Sequence, residues 1–530
     1  MKILSLSLLN HDSSVTIFES GEIVKHFLSE RITKFKKDNN LNLIISNLNE
    51  KVYDLISFSV FNKNLFNCQL IDKRSQLFLN ETIEKSKKSI NLNMENHHLS
   101  HAYLAYYTSK FDECLCFVFD GNGSFFNGIV DNEWCTEVES VYRFKRGKYQ
   151  SQIFKRYMIC DFFGQGGNIL PKKTIEDIVN KNYIISSDLS IGIIYELTTI
   201  ENGFNWNEGG KTMGLSQYVN NIYKLPPKYN NEEWKNKVKR SNESQKKVEK
   251  RILETVKKYV DDTGIKNVII TGGVALNCVS NYNLLKEIED INLHIDPICD
   301  DGGISIGNAI QTYIENTKKN PKRIANIYLG YEENLEELKE KVKNFDYKKV
   351  SYEDIIKIIL QKKAVSLFQG KSESGARALG NRSILFDPRV KNGRTIVNEI
   401  KKREDYRPFA ASILLEHVQE WFDLKNLKES PTMSFAVDAY KKTIKTVPSV
   451  IHVDNTSRIQ TVTKKQNYHF YNLIKEFYNQ TKVPMLLNTS FNLSGKPLVE
   501  TFDDAINALC NSEIEYLYLP EIETLVTIKN

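Results

Sequence analysis

The sequence predicts an α/β protein, and two observations lead to this class. Short apolar runs alternate with helical segments, and several of these runs end in a glycine-rich turn. Strands that feed into helices through such turns are typical of α/β folds, which carry their sites at the carboxyl ends of strands. At 530 residues the chain also exceeds the roughly 100–200 residues of one domain. We therefore expect more than one core.

The N-terminal part begins with a group of short strands. We predict them at the apolar runs Ile3–Leu8, Val15–Phe18, Ile23–Leu28 and Leu55–Val60. A turn at residues 19–21 joins the second run to the third. The first run has no small-residue cleavage site, so it predicts a buried strand and not a signal peptide.

Two later strands of this part end in glycine turns. Leu115–Phe119 is followed by Asp-Gly-Asn-Gly at 120–123, and Val268–Ile270 is followed by Thr-Gly-Gly at 271–273 and a helical segment. Free backbone N–H groups at such turns can approach a phosphate or a nucleotide. A simple hairpin after the first strand and close strand–helix packing after the second are the alternatives.

A polar stretch with Asn320-Pro321 breaks the helical pattern and predicts a domain boundary. We divide the chain there into domains 1–325 and 326–530. The second domain is predicted to contain a charged helix and two strands, the last ending in Asn-Thr-Ser-Phe-Asn at 488–492: Glu333–Lys343, Ala364–Phe368 and Met485–Leu487.

Composition excludes several classes of protein. No run approaches the roughly 20 apolar residues that span a bilayer, so we expect no membrane partner. The eight cysteines form no Cys-x-x-Cys pair, which favours reduced thiols in the cytoplasm. The net charge of +6 arises from 72 basic and 66 acidic residues and is too small to indicate a nucleic-acid partner.

The most specific local pattern is the His-His-Leu-Ser-His sequence at 97–101. His97 and His101 are four residues apart and therefore share one helix face, where they could bind the same metal ion. Asp120 and Asp301 both follow apolar runs and could complete the ligand set. The alternative is a surface helix with chance histidines.

Near the N-terminus, His11 beside Asp12 could be a general base or a structural pair.

Three clusters in the second domain combine basic and hydroxyl side chains with Gly, Pro, Phe and Leu. They lie at residues 373–383, at 401–409, and at 452–458 together with 488–492. Arg and Lys both suit a phosphate or a carboxylate. The interleaved apolar residues favour a partly buried anion pocket over a solvated basic surface.

In their order along the chain, these motifs resemble the O-carbamoyltransferases of nodulation-factor, antibiotic and glycan biosynthesis. The resemblance runs from about residue 3 to about residue 510. The matching stretches are HDS at 11–13, HHLSH at 97–101, DGNG at 120–123, KTMGL at 211–215, GGVALN at 272–277, DDGG at 300–303, SGARALGNRS at 374–383, IKKRED at 400–405, RPFA at 407–410, HVDNTSRIQTV at 452–462 and NTSFN at 488–492.

The resemblance implies two domains with different tasks. Domain 1–325 would have the duplicated α/β fold of actin-like ATPases (the ASKHA fold), as in the threonylcarbamoyl transferase of tRNA modification. Domain 326–530 would be YrdC-like, would bind carbamoyl phosphate and would form a carbamoyl-adenylate with ATP. The first domain would then transfer the carbamoyl group to a hydroxyl of a small-molecule acceptor. ATP and carbamoyl phosphate would be co-substrates, and a divalent metal, Fe²⁺ or else Mg²⁺ or Mn²⁺, would be the cofactor.

The resemblance also assigns roles to residues. The implied metal ligands are His97, His101, Asp120 and Asp301, and the implied catalytic group is His11, Asp12 and Lys36. The implied nucleotide contacts are Gly123, Lys211, Gly272, Gly273 and Asn277. The implied carbamoyl phosphate contacts are Arg377, Lys401, Arg407, Arg458 and Ser490.

The sequence leaves several choices open. It departs from the family at 34–38, where Lys-Phe-Lys-Lys-Asp replaces an Arg-x-Lys-His-Asp run, and at Asp300-Asp301, where relatives have Gly-Asp. Either of these two carboxylates could therefore bind the metal. A tRNA-modifying threonylcarbamoyl-type transferase and a catalytically silent nucleotide-binding regulator are the alternative functions. The acceptor and a homo-oligomeric state are also open.

Overall fold

The computed structural model describes residues 1–8, 11–46, 48, 52–60, 77, 80–84, 91–93, 96–127, 134–161, 170–171 and 178–528. The chain divides into two compact units. The first unit comprises Met1–Leu197, Lys247–Leu276 and Glu287–Ile327, and the second comprises Thr198–Lys246, Asn277–Lys286 and Tyr328–Asn530.

One division between the units falls at Ile327/Tyr328, close to the boundary we predicted at 325/326. Two earlier segments, 198–246 and 277–286, also belong to the second unit, although we had placed them in the first domain. The helices at 232–263 and 278–287 run through such division points, so no break in composition marks them.

The elements used below are numbered in chain order over the described residues. The strands are β1 Lys2–Leu8, β2 Ser14–Glu19, β3 Glu22–Leu28, β4 Leu55–Val60, β5 Asn91–Asn93, β6 Glu113–Phe119, β7 Phe125–Asn127, β8 Trp134–Lys145, β9 Lys148–Asp161, β10 Leu170–Pro171, β11 Ile178–Val179, β12 Tyr183–Ser186, β13 Asn267–Thr271, β14 Asn292–Ile295, β15 Asp346–Lys349, β16 Val365–Phe368, β17 Arg382–Phe386, β18 Ala410–Leu414, β19 Phe422–Asp423, β20 Ala436–Ala439, β21 Thr456–Val462, β22 Met485–Ser490, β23 Tyr516–Leu519 and β24 Thr524–Thr527.

The α-helices follow the same convention. They are α1 Ser29–Thr33, α2 Asn42–Ser46, α3 His97–Thr108, α4 Ile191–Glu201, α5 Gly209–Ser216, α6 Glu232–Thr263, α7 Cys278–Glu287, α8 Ile304–Thr317, α9 Leu335–Val342, α10 Tyr352–Leu360, α11 Gly393–Ile400, α12 Lys441–Thr446, α13 Tyr468–Thr481 and α14 Phe502–Cys510. None of the helices in the described ranges is long and apolar enough to cross a bilayer.

The first unit contains two mixed sheets. The described strands of the first sheet lie in the order β3-β2-β1-β4-β5, with β1 antiparallel to β2 and parallel to β4. Those of the second lie in the order β11-β12-β9-β8-β6-β13-β14, with β7 on β8 and β10 on β9. A sheet of three antiparallel strands continued by parallel ones is the arrangement expected of half an actin-like ATPase domain. The predicted fold class of the N-terminal part is confirmed.

The long hairpin β8–β9 in this unit was not predicted from the sequence. Its register pairs residues 134–145 with 148–160. β8 is almost wholly buried, yet it carries the buried acids Glu137 and Glu139. Charged residues on a buried strand hide the apolar pattern by which such strands are recognised.

Helices α3 and α8 pack against each other and position the site described below. A Cβ at Gly307 of α8 would lie only 1.9 Å from the carbonyl oxygen of Ser100 in α3, so glycine permits this close approach. On its other side α8 docks on the first sheet through buried polar contacts. Ser305 meets Thr16 of β2 at 2.7 Å between hydroxyl oxygens, and Asn308 donates to the Ser5 hydroxyl of β1 at 3.2 Å.

The second unit is built on one mixed sheet. Its described strands lie in the order β15-β24-β23-β16-β17-β22-β18-β21-β20-β19. The predicted strands at 364–368 and 485–487 are β16 and the first part of β22, and the predicted charged helix is α9. This unit is therefore α/β as well. Its YrdC-like character stays a prediction.

Candidate metal centre and anion cluster

The predicted metal ligands meet in the first unit. His97 and His101 occupy the first two turns of α3, Asp120 directly follows β6, and Asp301 opens the short turn before α8. One donor atom from each of the four lies within 4.8 Å of the other three, and all four residues are buried. Their three elements are adjacent because α3 packs on both β6 and α8.

The distances in this cluster fit a bound cation. His97 Nε2 lies 3.1 Å from Asp120 Oδ2 and 3.4 Å from Asp301 Oδ1. His101 Nε2 lies 3.4 Å from Asp301 Oδ1 and 3.8 Å from Asp120 Oδ2, with no aligned hydrogen bond to any described residue. Metal–ligand bonds of about 2.1 Å place neighbouring donors roughly 3.0–3.4 Å apart. The donor set of two imidazoles and two carboxylates suits a divalent transition metal.

The electrostatics of the cluster also favour a cation. Burial alone would lower the pKa of His97, but Asp301 and Asp120 raise it to about 10. Burial alone would raise the pKa of Asp301, but the two histidines hold it well below its ordinary value. The carboxylates therefore favour positive charge at this point. A divalent ion would provide this charge in place of the imidazole protons.

Asp120 is held by the two glycine turns that follow β6 and β13. Its Oδ1 accepts from the N–H of Gly121 at 2.9 Å and from the N–H of Gly273 at 3.2 Å, which leaves Oδ2 to the histidines. Gly272 and Gly273 thus lie beside the cluster. Their contact with a nucleotide stays a prediction.

The structure distinguishes the two neighbouring aspartates at 300 and 301. Asp301 points its Oδ1 at both histidines and its Oδ2 at His11 Nδ1, 3.8 Å away. Asp300 does not belong to the four-residue cluster. Burial raises the pKa of Asp300 to about 6, although Lys37 opposes this effect. Asp301 is therefore the candidate ligand.

His11 and Asp12 lie beside this cluster. His11 Nδ1 is 3.1 Å from Asp12 Oδ2, and the same oxygen accepts from Lys37 Nζ. Burial alone would lower the pKa of His11, but its contact with Asp12 raises it. We had predicted Lys36 as the lysine near this pair. The contact with Asp12 is made by Lys37, which shares a turn with Lys36.

Two further predicted nucleotide contacts, Lys211 and Asn277, belong to the second unit. Lys211 pairs with Glu208 at 2.9 Å and with Glu404 at 2.8 Å. Asn277 exchanges side-chain hydrogen bonds with Gln245, and its Oδ1 also accepts from the N–H of Ser280 at 3.1 Å. Both polar groups have protein partners. A nucleotide would have to compete with the two glutamates for Lys211.

Four arginines of the second unit affect one another electrostatically: Arg377, Arg403, Arg407 and Arg458. Burial, with Arg377 and Arg407 nearby, lowers the pKa of Arg458 to about 9. Burial, with Arg407 and Arg458, also holds the pKa of Arg403 well below its ordinary value. Among the described acids, Glu404 pairs with Arg407 at 3.6 Å. Such crowding of positive charge is what a bound anion would relieve.

Sequence reasoning selected Arg377, Arg407 and Arg458 but passed over Arg403. The guanidinium of Arg403 donates to Asn398 Oδ1 and to the carbonyl of Pro408, and lies 4.3 Å from the centre of the Phe409 ring. The pattern Arg-x₃-Arg at 403 and 407 could have indicated it.

Lys401 and Ser490 adjoin each other, but the lysine is already bonded to protein. The buried ammonium donates to the carbonyl of Ser490, and to the carbonyl and the Oδ1 of Asn492 at 2.9 Å each. The Ser490 hydroxyl donates to Asn492 Oδ1 at 2.6 Å. Lys401 therefore shapes the turn after β22, whatever else it contacts.

Comparison with known proteins decides the family. The family description "Carbamoyltransferase N-terminus" matches residues 45–239 and 229–310, and "Carbamoyltransferase C-terminus" matches residues 356–525. This chain belongs to the carbamoyltransferase family. It is accordingly an enzyme, and the resemblance drawn from its motifs is confirmed.

The chain is also similar to individual proteins, one of which carries the name of a carbamoyltransferase. An uncharacterized protein of Methanocaldococcus jannaschii is 30% identical over 80% of this chain and 81% of its own length. Nodulation protein NolNO of Sinorhizobium fredii is 28% identical over 80% of this chain and 62% of its own. The 3'-hydroxymethylcephem-O-carbamoyltransferase of Amycolatopsis lactamdurans is 29% identical over 45% of this chain and 44% of its own.

Solved structures resemble the chain only distantly. The ROK hexokinase from Thermus thermophilus aligns with a TM-score of 0.32 at 12% identity, over 58% of this chain and 98% of its own.

Proposed function

We propose that this carbamoyltransferase is ATP-dependent and uses carbamoyl phosphate to carbamoylate a hydroxyl of a small-molecule acceptor, such as a sugar, a sugar nucleotide, a nucleoside or a secondary metabolite. The observation that carries the proposal is the buried cluster of two histidines and two aspartates, in a chain that matches both carbamoyltransferase regions. The printed name of the cephem relative, an O-carbamoyltransferase, supports oxygen as the accepting atom.

The arginines of the second unit support a site for carbamoyl phosphate. Arg377, Arg407 and Arg458 would surround the dianion. Ser490 would be a further contact by the family resemblance. Fixed positive charges stabilise the charge that builds on a departing phosphate. Attack of water would release phosphate and leave carbamate. A carbamate oxygen would then attack the α-phosphorus of ATP, with loss of pyrophosphate, to form carbamoyl-adenylate.

Transfer would take place in the first unit. The acceptor hydroxyl would attack the carbamoyl carbon and AMP would leave. His11 is the candidate base for the hydroxyl proton, since Asp12 holds its Nδ1 and leaves Nε2 without a hydrogen bond among the described residues. His97, His101, Asp120 and Asp301 would hold a divalent cation, Fe²⁺ by the family resemblance, which would offset the charge of the nucleotide's phosphate oxygens.

The first test is product analysis. Protein loaded with Fe²⁺ and given ATP and carbamoyl phosphate should form AMP and pyrophosphate, and a screen of hydroxyl compounds should then find a carbamoylated product. Neither AMP nor pyrophosphate should form when carbamoyl phosphate is omitted. Conversion of ATP only to ADP would contradict the adenylate route.

A paired substitution tests the phosphate site. Arg458→Gln should raise the KM for carbamoyl phosphate at least tenfold, because it removes one of the crowded cations. The matched control is Arg389→Gln, whose arginine already pairs with Asp387 at 2.8 Å. Equal effects of the two changes on this KM would show that Arg458 does not belong to the phosphate site.

A further inference from the structure

A buried carboxylate on β8 joins the two segments that carry His97 and Asp120. Glu137 is 0% exposed, and its Oε1 accepts from the N–H of His98 at 3.1 Å and from the N–H of Ser124 at 3.2 Å. Its own carbonyl accepts from the N–H of Gly123 at 2.8 Å. Glu137 is thus hydrogen-bonded to both the start of α3 and the turn after β6.

Helix α3 depends on these contacts for its N-terminal cap. Asn96, at the usual capping position, makes no side-chain capping bond, and the first turn of the helix contains no acidic residue. The free N–H groups are instead met from outside the helix. The Ser124 hydroxyl accepts from the N–H of His97 at 3.2 Å, and Glu137 accepts from the next residue. A carboxylate here also faces the positive end of the helix dipole.

Lys155 keeps Glu137 in its charged form. Its Nζ donates to Glu137 Oε2 at 2.5 Å and lies 5.7–5.9 Å from the ring centres of Phe126, Tyr142 and Tyr157. Burial alone would raise the pKa of Glu137, but Lys155 lowers it to about 2. A buried ion pair often stabilises a fold no more than apolar residues of similar volume would. The presence of this pair is therefore weak evidence for a role in stability.

The glycine at 123 fits the same arrangement. A Cβ at this position would lie 2.7 Å from Glu137 Cγ and 2.8 Å from His98 Cδ2. The turn after β6 can pass this close to both residues only because position 123 has no side chain. The predicted nucleotide contact Gly123 therefore has a structural role here.

We propose that Glu137, together with its counter-ion Lys155, is a positioning residue that fixes His97 and His101 relative to Asp120 in the geometry that binds the metal. The inference rests on the metal centre of the proposed function. Glu137 lies outside the four-residue cluster. It acts by holding the start of α3 and the turn after β6 in fixed positions relative to each other.

The test compares two buried glutamates on one strand. Glu137→Gln places an amide where a carboxylate now faces three donors, so that either Lys155 or the backbone N–H pair meets another donor. The matched control is Glu139→Gln, since Glu139 is 1% exposed and pairs with Arg156 at 3.2 Å and Arg251 at 2.6 Å. Among the described residues, the Glu139 carboxylate accepts hydrogen bonds from these two arginines and not from α3 or the turn after β6.

Two readouts are needed, both on the full chain. Co²⁺ titration followed by visible absorption should show at least tenfold weaker binding in Glu137→Gln and less than twofold change in Glu139→Gln. Hydrogen exchange of the metal-free protein should be at least fivefold faster at the start of α3 in Glu137→Gln alone. Should Glu137→Gln not fold, Ser124→Ala removes only the acceptor of the His97 N–H and should weaken Co²⁺ binding about threefold.

The outcomes separate this inference from the function proposed above. Equal Co²⁺ affinity in native protein and Glu137→Gln, or equal weakening in both glutamate variants, would overturn the positioning role. Native protein that binds no Co²⁺ would contradict the metal centre itself. In that case unchanged exchange at α3 would also remove Glu137 as the residue that holds the helix.

Discussion

Asp120 and Asp301 each divide their two carboxylate oxygens between different partners. Asp120 gives one oxygen to the backbone N–H groups of Gly121 and Gly273 and the other to the histidines. Asp301 gives one oxygen to the histidines and turns the other toward His11. Such outer contacts fix the orientation of a ligand before the metal arrives.

Substitution of the neighbouring aspartates should separate their roles. We expect Asp301→Asn to weaken Co²⁺ binding at least a hundredfold, because it removes a charged donor that faces both imidazoles. Asp300→Asn should bind Co²⁺ as native protein does, since Asp300 lies outside the cluster. Calorimetric titration of the two variants checks this. A larger loss in Asp300→Asn would reverse the assignment.

The raised pKa of His97 predicts a specific pH dependence. Its pKa lies at about 10, against an ordinary value of 6.5. A group whose pKa is raised by folding stabilises the fold fully below its ordinary pKa, and this contribution is lost as the pH rises through the raised value. The metal-free protein should therefore lose stability as the pH rises above 6.5 toward 10.

Metal affinity should change in the opposite direction over this window. Binding displaces the imidazole proton, so the affinity for Co²⁺ should increase between pH 6.5 and 8.5. Urea unfolding of metal-free protein and Co²⁺ titration at both pH values measure the two trends. Affinity that falls with pH would show that His97 is not a ligand.

Not every arginine in a predicted anion cluster is available to an anion. Arg382 is 0% exposed and donates to the carbonyls of Gln369, Asn381, Gly370 and Glu500 at 2.6–3.1 Å. It therefore holds the backbone around β17. Arg458, in contrast, has a buried Nε with no hydrogen bond among the described residues. Both residues are arginines in the sequence, so only their contacts in the structure distinguish them.

At the scale of elements, the contact between α3 and α8 sets the distance between the histidines and Asp301. Asp301 lies just before α8, and the first turns of α3 carry both histidines. At Gly307 a Cβ would lie 1.9 Å from the Ser100 carbonyl oxygen, so the two helices are closely packed at this point. Any change that separates the helices should open the metal centre.

The substitution Gly307→Ala should open the metal centre. The new Cβ would overlap the Ser100 carbonyl, and overpacking of this kind costs about 1–3 kcal/mol of unfolding free energy. We expect a lower Tm and at least tenfold weaker Co²⁺ binding. The control is Gly210→Ala in α5, where a Cβ would meet nothing within 4 Å and the free energy should change by no more than about 1 kcal/mol. Unchanged Co²⁺ binding in Gly307→Ala would show that helix spacing does not control the site.

At the scale of the whole molecule, the metal cluster and the arginine cluster belong to different units. Each cluster is organised by contacts within its own unit. A single substitution in one cluster should therefore impair binding at that cluster and leave binding at the other cluster unchanged.

Two alanine variants test this independence. Lys401→Ala should abolish the use of carbamoyl phosphate, because it removes the ammonium that holds the turn at 490–492, while Co²⁺ binding stays native. His101→Ala should remove Co²⁺ binding, while carbamoyl phosphate still protects the protein against heat. Co²⁺ binding and a carbamoyl phosphate-dependent rise in Tm measure the two effects. Loss of both in either variant would contradict independent sites.

The sequence by itself determined the α/β class, the strands that end in glycine turns and the family, and it predicted a metal site at His97 and His101 with aspartates as further ligands. These follow from local patterns: apolar runs set strands, the spacing of His97 and His101 sets a shared helix face, and motif order identifies relatives. The tertiary structure alone decided between Asp300 and Asp301, put Lys37 on Asp12, and gave Lys211 and Asn277 to the second unit. It also revealed Glu137 and its strand. These facts depend on which distant segments pack together, and no local pattern records that.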